Sequence, residues 1–273
     1  MAEQLADTLS ATDRAFLYGD GVFETLLAVN GVALWAELHL ERLMLGAGRL
    51  AIAVCRDDIV AAITNALRHC KETPSILRIT VSRGEGLRGY APSKDAGARI
   101  TSSIHALGRD PFASLPDAVV ATSAVVMAEQ PLLAGLKHCN RLEQVLAAAE
   151  ARDRDLDDVL LRRSDGSYQC SSNANIFVIK GSNLLTPSCE QCGVSGTRSR
   201  FIVETLAPKL GLTATRVTLQ CADLKDADAL FICNSVMGIR GIARWDDTSF
   251  APSSVLARLQ AAYADEARRC CGV

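Results

Sequence analysis

Residues 132–144 have the sequence Leu132-Leu133-Ala134-Gly135-Leu136-Lys137-His138-Cys139-Asn140-Arg141-Leu142-Glu143-Gln144. Lys137 lies in a predicted loop, between an apolar strand and a helix that is expected to begin at Asn140. A nucleophilic amine needs a lowered pKa, which desolvation and a neighbouring cation such as Arg141 would supply. Most lysines are surface residues, so a solvated loop side chain is the alternative that the pattern alone favours.

Strands and helices alternate on both sides of this segment. In the second half, strands are predicted over residues 118–127, 158–163, 175–180, 213–218 and 229–233, with a short strand ending at Pro187. Helices are predicted there over residues 140–154, 197–210 and 253–269. In the first half, Asn30-Gly31 between two β-rich runs favours a type I′ hairpin turn. Helices over 36–50 and 57–70 follow, and then strands over 76–82 and 99–106.

Both halves therefore predict an α+β fold. Residues 108–116 contain Pro111 and Pro116 and are typical of a linker. We expect an N-terminal α+β domain over residues 1–108, a linker over 109–114 and a C-terminal α+β domain over 115–273. A chain of 273 residues is long enough for one large core or two smaller ones.

Composition and charge exclude several classes of protein. The chain has 29 Lys and Arg against 31 Asp and Glu, so it has no basic field that would attract nucleic acid or an anionic membrane. No apolar run approaches the roughly 20 residues that span a bilayer, and the start, Met1 to Ser10, lacks the blocks of a signal peptide. We expect a cytoplasmic protein with neither nucleic acid nor a membrane as a partner.

The ten cysteines are scattered along the chain. In a reducing compartment most of them are expected to be free thiols that act as small apolar residues. Cys189 and Cys192 form an isolated C-x-x-C, a spacing found in redox motifs and in zinc sites. No second C-x-x-C or H-x-x-x-H pair lies nearby, so no metal site is predicted.

Four segments, in this order, carry a family resemblance. They are Asp13-Arg14-Ala15-Phe16-Leu17-Tyr18-Gly19-Asp20-Gly21-Val22-Phe23-Glu24-Thr25, His39-Leu40-Glu41-Arg42-Leu43, Ser82-Arg83-Gly84-Glu85-Gly86-Leu87-Arg88-Gly89-Tyr90, and residues 136–144. Over nearly its whole length the chain resembles the fold-type IV family of pyridoxal phosphate enzymes, which includes D-amino acid and branched-chain aminotransferases and 4-amino-4-deoxychorismate lyase. The last two segments look most like the lyase.

The resemblance implies pyridoxal 5′-phosphate as cofactor, in a cleft between the two domains of a D-amino acid aminotransferase-like fold. It implies that Lys137 attaches the cofactor covalently and moves protons. It also implies that Arg42 binds the cofactor phosphate, for which a guanidinium fork is suited. A helix-surface ion pair of Arg42 with Glu41 or Glu37 is the alternative.

Two further phosphate contacts follow from the resemblance. The loop 193–198 precedes a helix, so the backbone N–H groups near Gly196, Thr197 and Arg198 would form an anion site. A simple helix cap at Ser195 or Thr197 is the alternative. Asn234 and Ser235 match a third contact of the family, with plain turn chemistry as the alternative.

Cys170 departs from the family pattern. The family has a glutamate facing the pyridine nitrogen, in a segment resembling Glu-x-x-x-x-Asn-x-Phe, and Asn175-Ile176-Phe177 fits its end. The glutamate position falls on Cys170, whose neutral thiol holds a proton on the ring nitrogen only weakly. A cysteine at this position disfavours transamination more than a lyase reaction. In the lyase reaction the aromatic product is stable in itself, so the cofactor has to stabilise less of the negative charge that forms when the substrate loses its proton.

The resemblance to the lyase implies a substrate with two carboxylates and an amine. Four arginines lie in or beside the matched segments: Arg83, Arg88, Arg141 and Arg240. We predict that Arg88 and Tyr90 bind the substrate. The alternative is that Arg88 is a solvated loop charge and that Tyr90 packs on the domain seam.

The expected function is conversion of 4-amino-4-deoxychorismate to 4-aminobenzoate and pyruvate for folate synthesis. An aminotransferase for D- or branched-chain amino acids is the alternative enzyme, although Leu142 stands where the branched-chain enzymes would offer a tyrosine. A pyridoxal phosphate-binding homologue with little activity is the third possibility. The resemblance also leads us to expect a homodimer.

Overall fold

The computed structural model of the chain describes residues 9–86, 88–93 and 96–273. The start of the chain, for which no signal peptide is predicted, lies largely outside the described residues. Leu87 of the glycine-rich loop 84–90 also lies outside them. By their internal contacts the described residues form two compact units. The first comprises the residues through Pro111 with Leu136–Asn140 and Ala267–Val273, and the second comprises Phe112–Gly135 and Arg141–Glu266.

The first unit is built on a four-stranded antiparallel sheet. Its elements are α1 (Arg14–Tyr18), β1 (Gly21–Val29), β2 (Val32–Ala33), α2 (Ala36–Arg49), α3 (Arg56–Leu67), β3 (Ser75–Ser82) and β4 (Arg99–Ala106). The strand order is β2-β1-β3-β4. Asn30 and Gly31 have φ angles of 52° and 76°, and Val29 pairs with Val32, which confirms the predicted two-residue turn.

The two faces of this sheet differ in chemistry. Val22, Leu26 and Ile79 belong to a buried cluster with Leu43 of α2 and Ile59 of α3. Successive residues of a strand point to opposite faces, so the other face carries the residues between them. The register pairs Phe23 with Thr80, Thr25 with Arg78, Arg78 with Ser103, and Thr80 with Thr101. This second face is therefore rich in hydroxyl groups and carries the guanidinium groups of Arg78 and Arg99.

The second unit contains a nine-stranded mixed sheet. Its elements are β5 (Ala118–Val126), α4 (Leu142–Asp153), β6 (Asp158–Arg162), β7 (Tyr168–Ser171), β8 (Asn175–Lys180), β9 (Asn183–Pro187), α5 (Thr197–Phe201), a π-helical turn (Ile202–Leu206), α6 (Ala207–Lys209), β10 (Thr213–Val217), α7 (Cys221–Lys225), β11 (Ala229–Asn234), β12 (Gly238–Trp245), β13 (Thr248–Ser249) and α8 (Ser254–Cys270). The order is β10-β9-β8-β11-β12-β5-β6-β7, and β13 pairs with β12. Because β7 also pairs with β8, six strands close on themselves.

Apolar side chains fill this unit on both sides of the sheet. One cluster contains Val120, Ile176, Leu230 and Trp245. A second cluster contains Met127, Val159 and Cys170 with Ala147 of α4. Phe177 and Phe231 are cross-strand partners whose rings stack with centroids 4.7 Å apart.

The predicted α+β character is confirmed. Among the described residues, none of the helices combines the length and the apolar character needed to span a bilayer.

Candidate functional site

The lysine segment is held by backbone hydrogen bonds to the start of β1. The N–H of Phe23 donates to the Lys137 carbonyl at 2.9 Å, and the N–H of Cys139 donates to the Gly21 carbonyl at 2.9 Å. The Asn140 Nδ2 atom donates to the Gly19 carbonyl at 3.2 Å. Gly19 has a φ of 66°, and a Cβ there would overlap with the Asn140 carboxamide. Lys137 is therefore fixed beside β1 by its own backbone and by its neighbours.

The Lys137 side chain lies against an aromatic ring. Its Nζ atom is 4.4 Å from the centre of the Phe23 ring. The Arg78 guanidinium carbon lies 3.8 Å from the centre of the same ring. Lys137 is half-buried. The Phe23 ring therefore covers part of the amine, so Lys137 is not a fully solvated loop side chain, and its role as the cofactor lysine stays a prediction.

A buried ionic cluster lies on the α2 side of the same sheet. Glu24, which is 1% exposed, accepts from Arg42 Nε and Nη2 at 2.6 Å each, and its Oε2 lies 2.6 Å from His39 Nδ1. Burial would raise the pKa of the Glu24 carboxyl, but Arg42 and His39 outweigh it and hold this pKa at about 2. The alternative of a surface ion pair between Arg42 and Glu37 is not formed, since Glu37 pairs with Arg56. The phosphate contact of Arg42 stays a prediction.

A second ionic cluster bonds to the backbone of the glycine-rich loop 84–90. Asp20 accepts from Arg14 Nε at 2.8 Å and from Arg83 Nε and Nη2 at 2.8 and 3.0 Å. Arg14 also donates to the Gly89 and Tyr90 carbonyls. Burial would raise the pKa of Asp20, but the hydrogen bonds from Arg83 and Arg14 lower it overall. Arg83 is therefore engaged with a carboxylate of the protein itself.

The residues predicted to bind substrate lie on this loop. Arg88 is exposed, and Tyr90 is 85% exposed, with its ring centre 5.4 Å from that of Tyr18. Tyr90 thus packs on Tyr18 within the first unit. In the second unit, Arg240 donates to Asp157 at 2.6 Å, and Arg141 is half-buried at the start of α4. The substrate roles of Arg88 and Tyr90 stay predictions.

The loop 193–198 of the second unit leads into α5. The N-cap residue of α5 is Gly196 and not Ser195 or Thr197, at which the alternative had placed a helix cap, and Gly196 has no side chain with which to cap the helix. Asn175 Nδ2 donates to the Val194 carbonyl at 2.9 Å, and a Cβ on Gly196 would overlap with Asn175 Oδ1. A glycine is therefore required at this helix start, where first-turn N–H groups favour an anion.

The residues predicted to contact the phosphate differ in burial and in hydrogen bonding. Thr197 and Arg198 are buried in the first turn of α5, with exposures of 4% and 1%. The Asn234 Oδ1 atom accepts from the N–H groups of Val236 and Met237 at 3.0 and 2.7 Å. Asn234 and the adjacent Ser235 thus belong to the turn between β11 and β12, which bears out the turn alternative for Asn234. Their phosphate contact stays a prediction.

Cys170 lies in an apolar setting on β7. Its Sγ atom is 3.5 Å from Met127 Sδ, and it belongs to the cluster that contains Ala147 and Val159. Burial raises the pKa of the Cys170 thiol far above its usual range, so the thiol is neutral near pH 7. Gln169, next to it, donates to the Ser188 carbonyl at 2.9 Å. Neither residue supplies an anion at this position.

We expect Cys170→Glu to lower the free energy of unfolding by about 1–3 kcal/mol, the cost of burying a polar group without a full set of partners. The introduced carboxyl would take up a proton rather than stay charged, so its pKa should rise. Denaturant unfolding at pH 7, with Cys170→Ser as the matched control of similar size, measures this cost. A glutamate variant as stable as the serine variant would show that the site already offers a cation to a carboxylate.

The comparisons with known proteins agree on the family of the chain. A family model described as amino-transferase class IV matches residues 21–245. The aminodeoxychorismate lyase of Vibrio harveyi is 32% identical over 234 residues, 85% of this chain and 85% of that protein. The crystal structure of 4-amino-4-deoxychorismate lyase from Pseudomonas aeruginosa has a TM-score of 0.84 at 32% identity and covers 97% of this chain and 96% of its own.

A further solved structure extends the likeness of fold. A hypothetical aminotransferase from Mycobacterium tuberculosis, in a PLP-bound form, has a TM-score of 0.85 at 20% identity. The match covers 97% of this chain and 94% of that one. At this identity the likeness concerns the fold alone.

Proposed function

The chain belongs to the aminotransferase class IV family of fold-type IV pyridoxal phosphate enzymes, and from this membership we propose that it cleaves 4-amino-4-deoxychorismate to 4-aminobenzoate and pyruvate. Support comes from the two lyases that are each 32% identical to it over most of their length. The observation that carries the choice of a lyase over an aminotransferase is the neutral, buried thiol of Cys170.

The residues of the chain fit the cofactor of the family. Lys137 offers an amine on a fixed backbone, and the first turn of α5, whose N-cap residue Gly196 makes no side-chain cap, would offer N–H donors to a phosphate. Thr197 and Arg198 would contribute first-turn N–H groups, and Arg42, whose guanidinium Glu24 orients, would add a cationic donor. When bound, pyridoxal phosphate withdraws electrons from the carbon that bears the substrate amine.

Lys137 carries the proton transfers in this proposal. Its amine takes the proton from C4 of the substrate ring, and the electron pair left behind expels the enolpyruvyl oxygen from C3, so the C3–O bond breaks as the ring becomes aromatic. The amine then returns a proton to the methylene carbon of the departing enolpyruvyl group, which becomes pyruvate. The Phe23 ring beneath the ε-amine keeps water from one side of it.

Cys170 separates the two candidate activities on physical grounds. A carboxylate at this position would hold a proton on the pyridine nitrogen and support a long-lived carbanion, whereas a neutral thiol does so weakly. Loss of the C4 proton from aminodeoxychorismate is favoured because the ring becomes aromatic. An amino acid forms no aromatic product when it loses its α-proton, so it depends more on the cofactor. The chain is therefore suited to the lyase reaction.

Incubation of the cofactor-loaded protein with aminodeoxychorismate tests this function. We expect 4-aminobenzoate and pyruvate in equal amounts, and negligible amino transfer from alanine, glutamate, leucine or their D-isomers. Transamination without lyase turnover would replace the proposal with an aminotransferase. Absence of both activities, with cofactor bound, would favour a binding homologue.

A further inference from the structure

Two basic side chains of the first unit lie against one aromatic ring. The Nζ atom of Lys137 is 4.4 Å from the centre of the Phe23 ring, and the guanidinium carbon of Arg78 is 3.8 Å from the same centre. No more than about 8 Å therefore separates the two groups, a distance over which like charges in a partly buried setting repel each other. The sequence indicates Arg141 as a neighbouring cation, and the structure adds Arg78 from the middle of β3.

Arg78 is the group of the two that keeps its charge. Burial lowers the pKa of its guanidinium, and the Cys139 thiol offsets part of this effect. A guanidinium stays protonated in proteins, because its pKa begins far above neutral. The Phe23 ring attracts either cation, and Arg78 lies closer to its centre than Lys137 does. A lysine amine loses its proton more readily than a guanidinium, so deprotonation of Lys137 relieves the repulsion between them.

The carboxylates around this lysine are engaged with other cations. Glu24 is the one carboxylate within β1, β3, β4 and residues 136–140, and it points to the opposite face of the sheet, where Arg42 binds it. Asp20, just before β1, accepts from two arginines. The other titratable side chains of these strands and of this segment are Arg99 and His105 of β4 and His138 and Cys139 beside the lysine. Arg78 therefore acts on the amine without a carboxylate of these strands to offset it.

We propose that Arg78 keeps the Lys137 amine unprotonated near neutral pH and is thereby a positioning residue for the proton transfers of this lysine. The role rests on the proposed function, in which Lys137 attaches the cofactor and accepts the C4 proton of the substrate. Only an unprotonated amine has the electron pair that both steps require. Arg78 acts through Lys137, and this effect is present before any substrate binds.

Competitive labelling of the full-length protein, freed of cofactor, tests the charge state of Lys137 in the absence of substrate. Acetic anhydride acetylates unprotonated amines and is itself uncharged, so the charge of Arg78 does not draw it to the site. Peptide mapping measures the acetylated fraction of Lys137 from about pH 6 to about pH 11, with Lys180 as the internal reference. We expect the midpoint for Lys137 to lie at least about one pH unit below that for Lys180.

Four variants separate the charge of Arg78 from its packing. Arg78→Gln should raise the Lys137 midpoint by about one pH unit, so that about tenfold less of the amine is unprotonated at neutral pH. Arg78→Met should give the same shift, so the test survives if one of these variants fails to fold. Arg78→Lys retains a positive charge and should keep most of the wild-type midpoint. Arg56→Gln removes a cation from the exposed pair on α3 and should leave the midpoint unchanged.

The cofactor-loaded protein gives a second, spectroscopic readout. The visible absorption of the bound cofactor changes with pH as the nitrogen that Lys137 contributes to the bond gains or loses a proton. Its midpoint should rise in Arg78→Gln and stay unchanged in Arg56→Gln, for the same electrostatic reason. A purely structural role of Arg78 would lower the stability of the protein without moving either midpoint.

Three results would overturn this role of Arg78. These are a Lys137 midpoint equal to that of Lys180 in the wild-type protein, an unchanged midpoint in folded Arg78→Gln and Arg78→Met, and an equal shift in Arg78→Lys, which would exclude charge as the cause. The outcome is separable from the fate of the proposed function. An Arg78-dependent midpoint in a protein that releases no 4-aminobenzoate would uphold the role and refute the lyase, and lyase turnover with an unchanged midpoint would do the reverse.

Discussion

Lys137→Ala is expected to lower the rate of 4-aminobenzoate and pyruvate release by about 10² to 10⁴-fold, the usual contribution of a positioned general acid–base. Two proton transfers in the proposed reaction use the same ε-amine, and alanine can perform neither. The backbone bonds between Lys137 and Phe23 do not involve the side chain, so the fold should be retained. Initial rates of both products, with folding checked by circular dichroism, give the measurement.

Lys180→Ala is the matched control for this variant. Lys180 ends β8 and pairs with Asp223 at 3.3 Å on the surface of the second unit. Its loss should change the rate by less than about twofold, because a solvent-accessible ion pair of this kind contributes little and Lys180 has no part in the proposed reaction. A Lys137→Ala protein with more than a tenth of wild-type turnover would remove Lys137 from the chemistry.

Glu24→Gln is expected to lower the free energy of unfolding by about 3–5 kcal/mol, the cost of removing one partner from a buried ion pair. Glutamine nearly preserves the size of the side chain, so the loss comes from the charge rather than from a cavity. Arg42 would keep a buried guanidinium without its carboxylate, and His39 would lose the same partner. Chemical denaturation of the wild-type and variant proteins at pH 7 measures the difference.

The pH dependence of this difference has a definite sign. The pKa of Glu24 falls from an ordinary value of 4.5 to about 2 in the folded protein. A carboxyl with a lowered pKa stabilises the folded state fully above its unfolded value and loses that stabilisation as the pH falls towards its folded value. The stability gap between wild type and Glu24→Gln should therefore be largest above pH 4.5 and shrink towards pH 2.

Glu37→Gln is the control for Glu24→Gln. Glu37 pairs with Arg56 on the surface, where the two side chains are 62% and 51% exposed. Its loss should cost about 0–1 kcal/mol, as exposed pairs do. Equal effects of the two substitutions would mean that the Glu24 cluster behaves as a surface ion pair.

Much of the first unit follows from sequence periodicity. The observed α2, β3 and β4 begin and end within about a residue of the predicted ranges, because their apolar residues repeat at strand or helix spacing. The helix α1 was missed although its signals are present. Asp13 caps it by accepting from the Ala15 N–H at 2.8 Å, and Gly19 ends it in the left-handed region.

Tertiary contacts decide the elements that the sequence does not predict. The strand β12 contains Gly238 and Gly241, which do not favour a strand, but a Cβ on Gly241 would lie against Asp117 and, at 3.0 Å, Leu256. The predicted helix over residues 197–210 is interrupted by a π-helical turn just before Pro208. Proline lacks the N–H that would bond the Glu204 carbonyl and clashes with it, so the helix widens there.

The candidate site was only partly predictable. Lys137 was found from its segment, but its contact with Phe23 depends on pairing with a strand more than a hundred residues earlier in the chain. The alternation of β1 places Glu24 between Val22 and Leu26 on the buried face, and a charged residue there signals a buried partner. That partner, Arg42, lies on a separate helix, so the pairing becomes visible only in the fold. The homodimer and the cytoplasmic location stay predictions.

Borohydride reduction of the cofactor-loaded protein, followed by peptide mapping, tests most directly whether Lys137 is the reactive amine. Reduction makes the bond between the cofactor and its lysine permanent, so the modified residue can be identified by mass. We expect the label on Lys137, in a peptide that contains Leu136 and His138. Label on another lysine, or a protein that retains no cofactor after reconstitution, would contradict the proposed site.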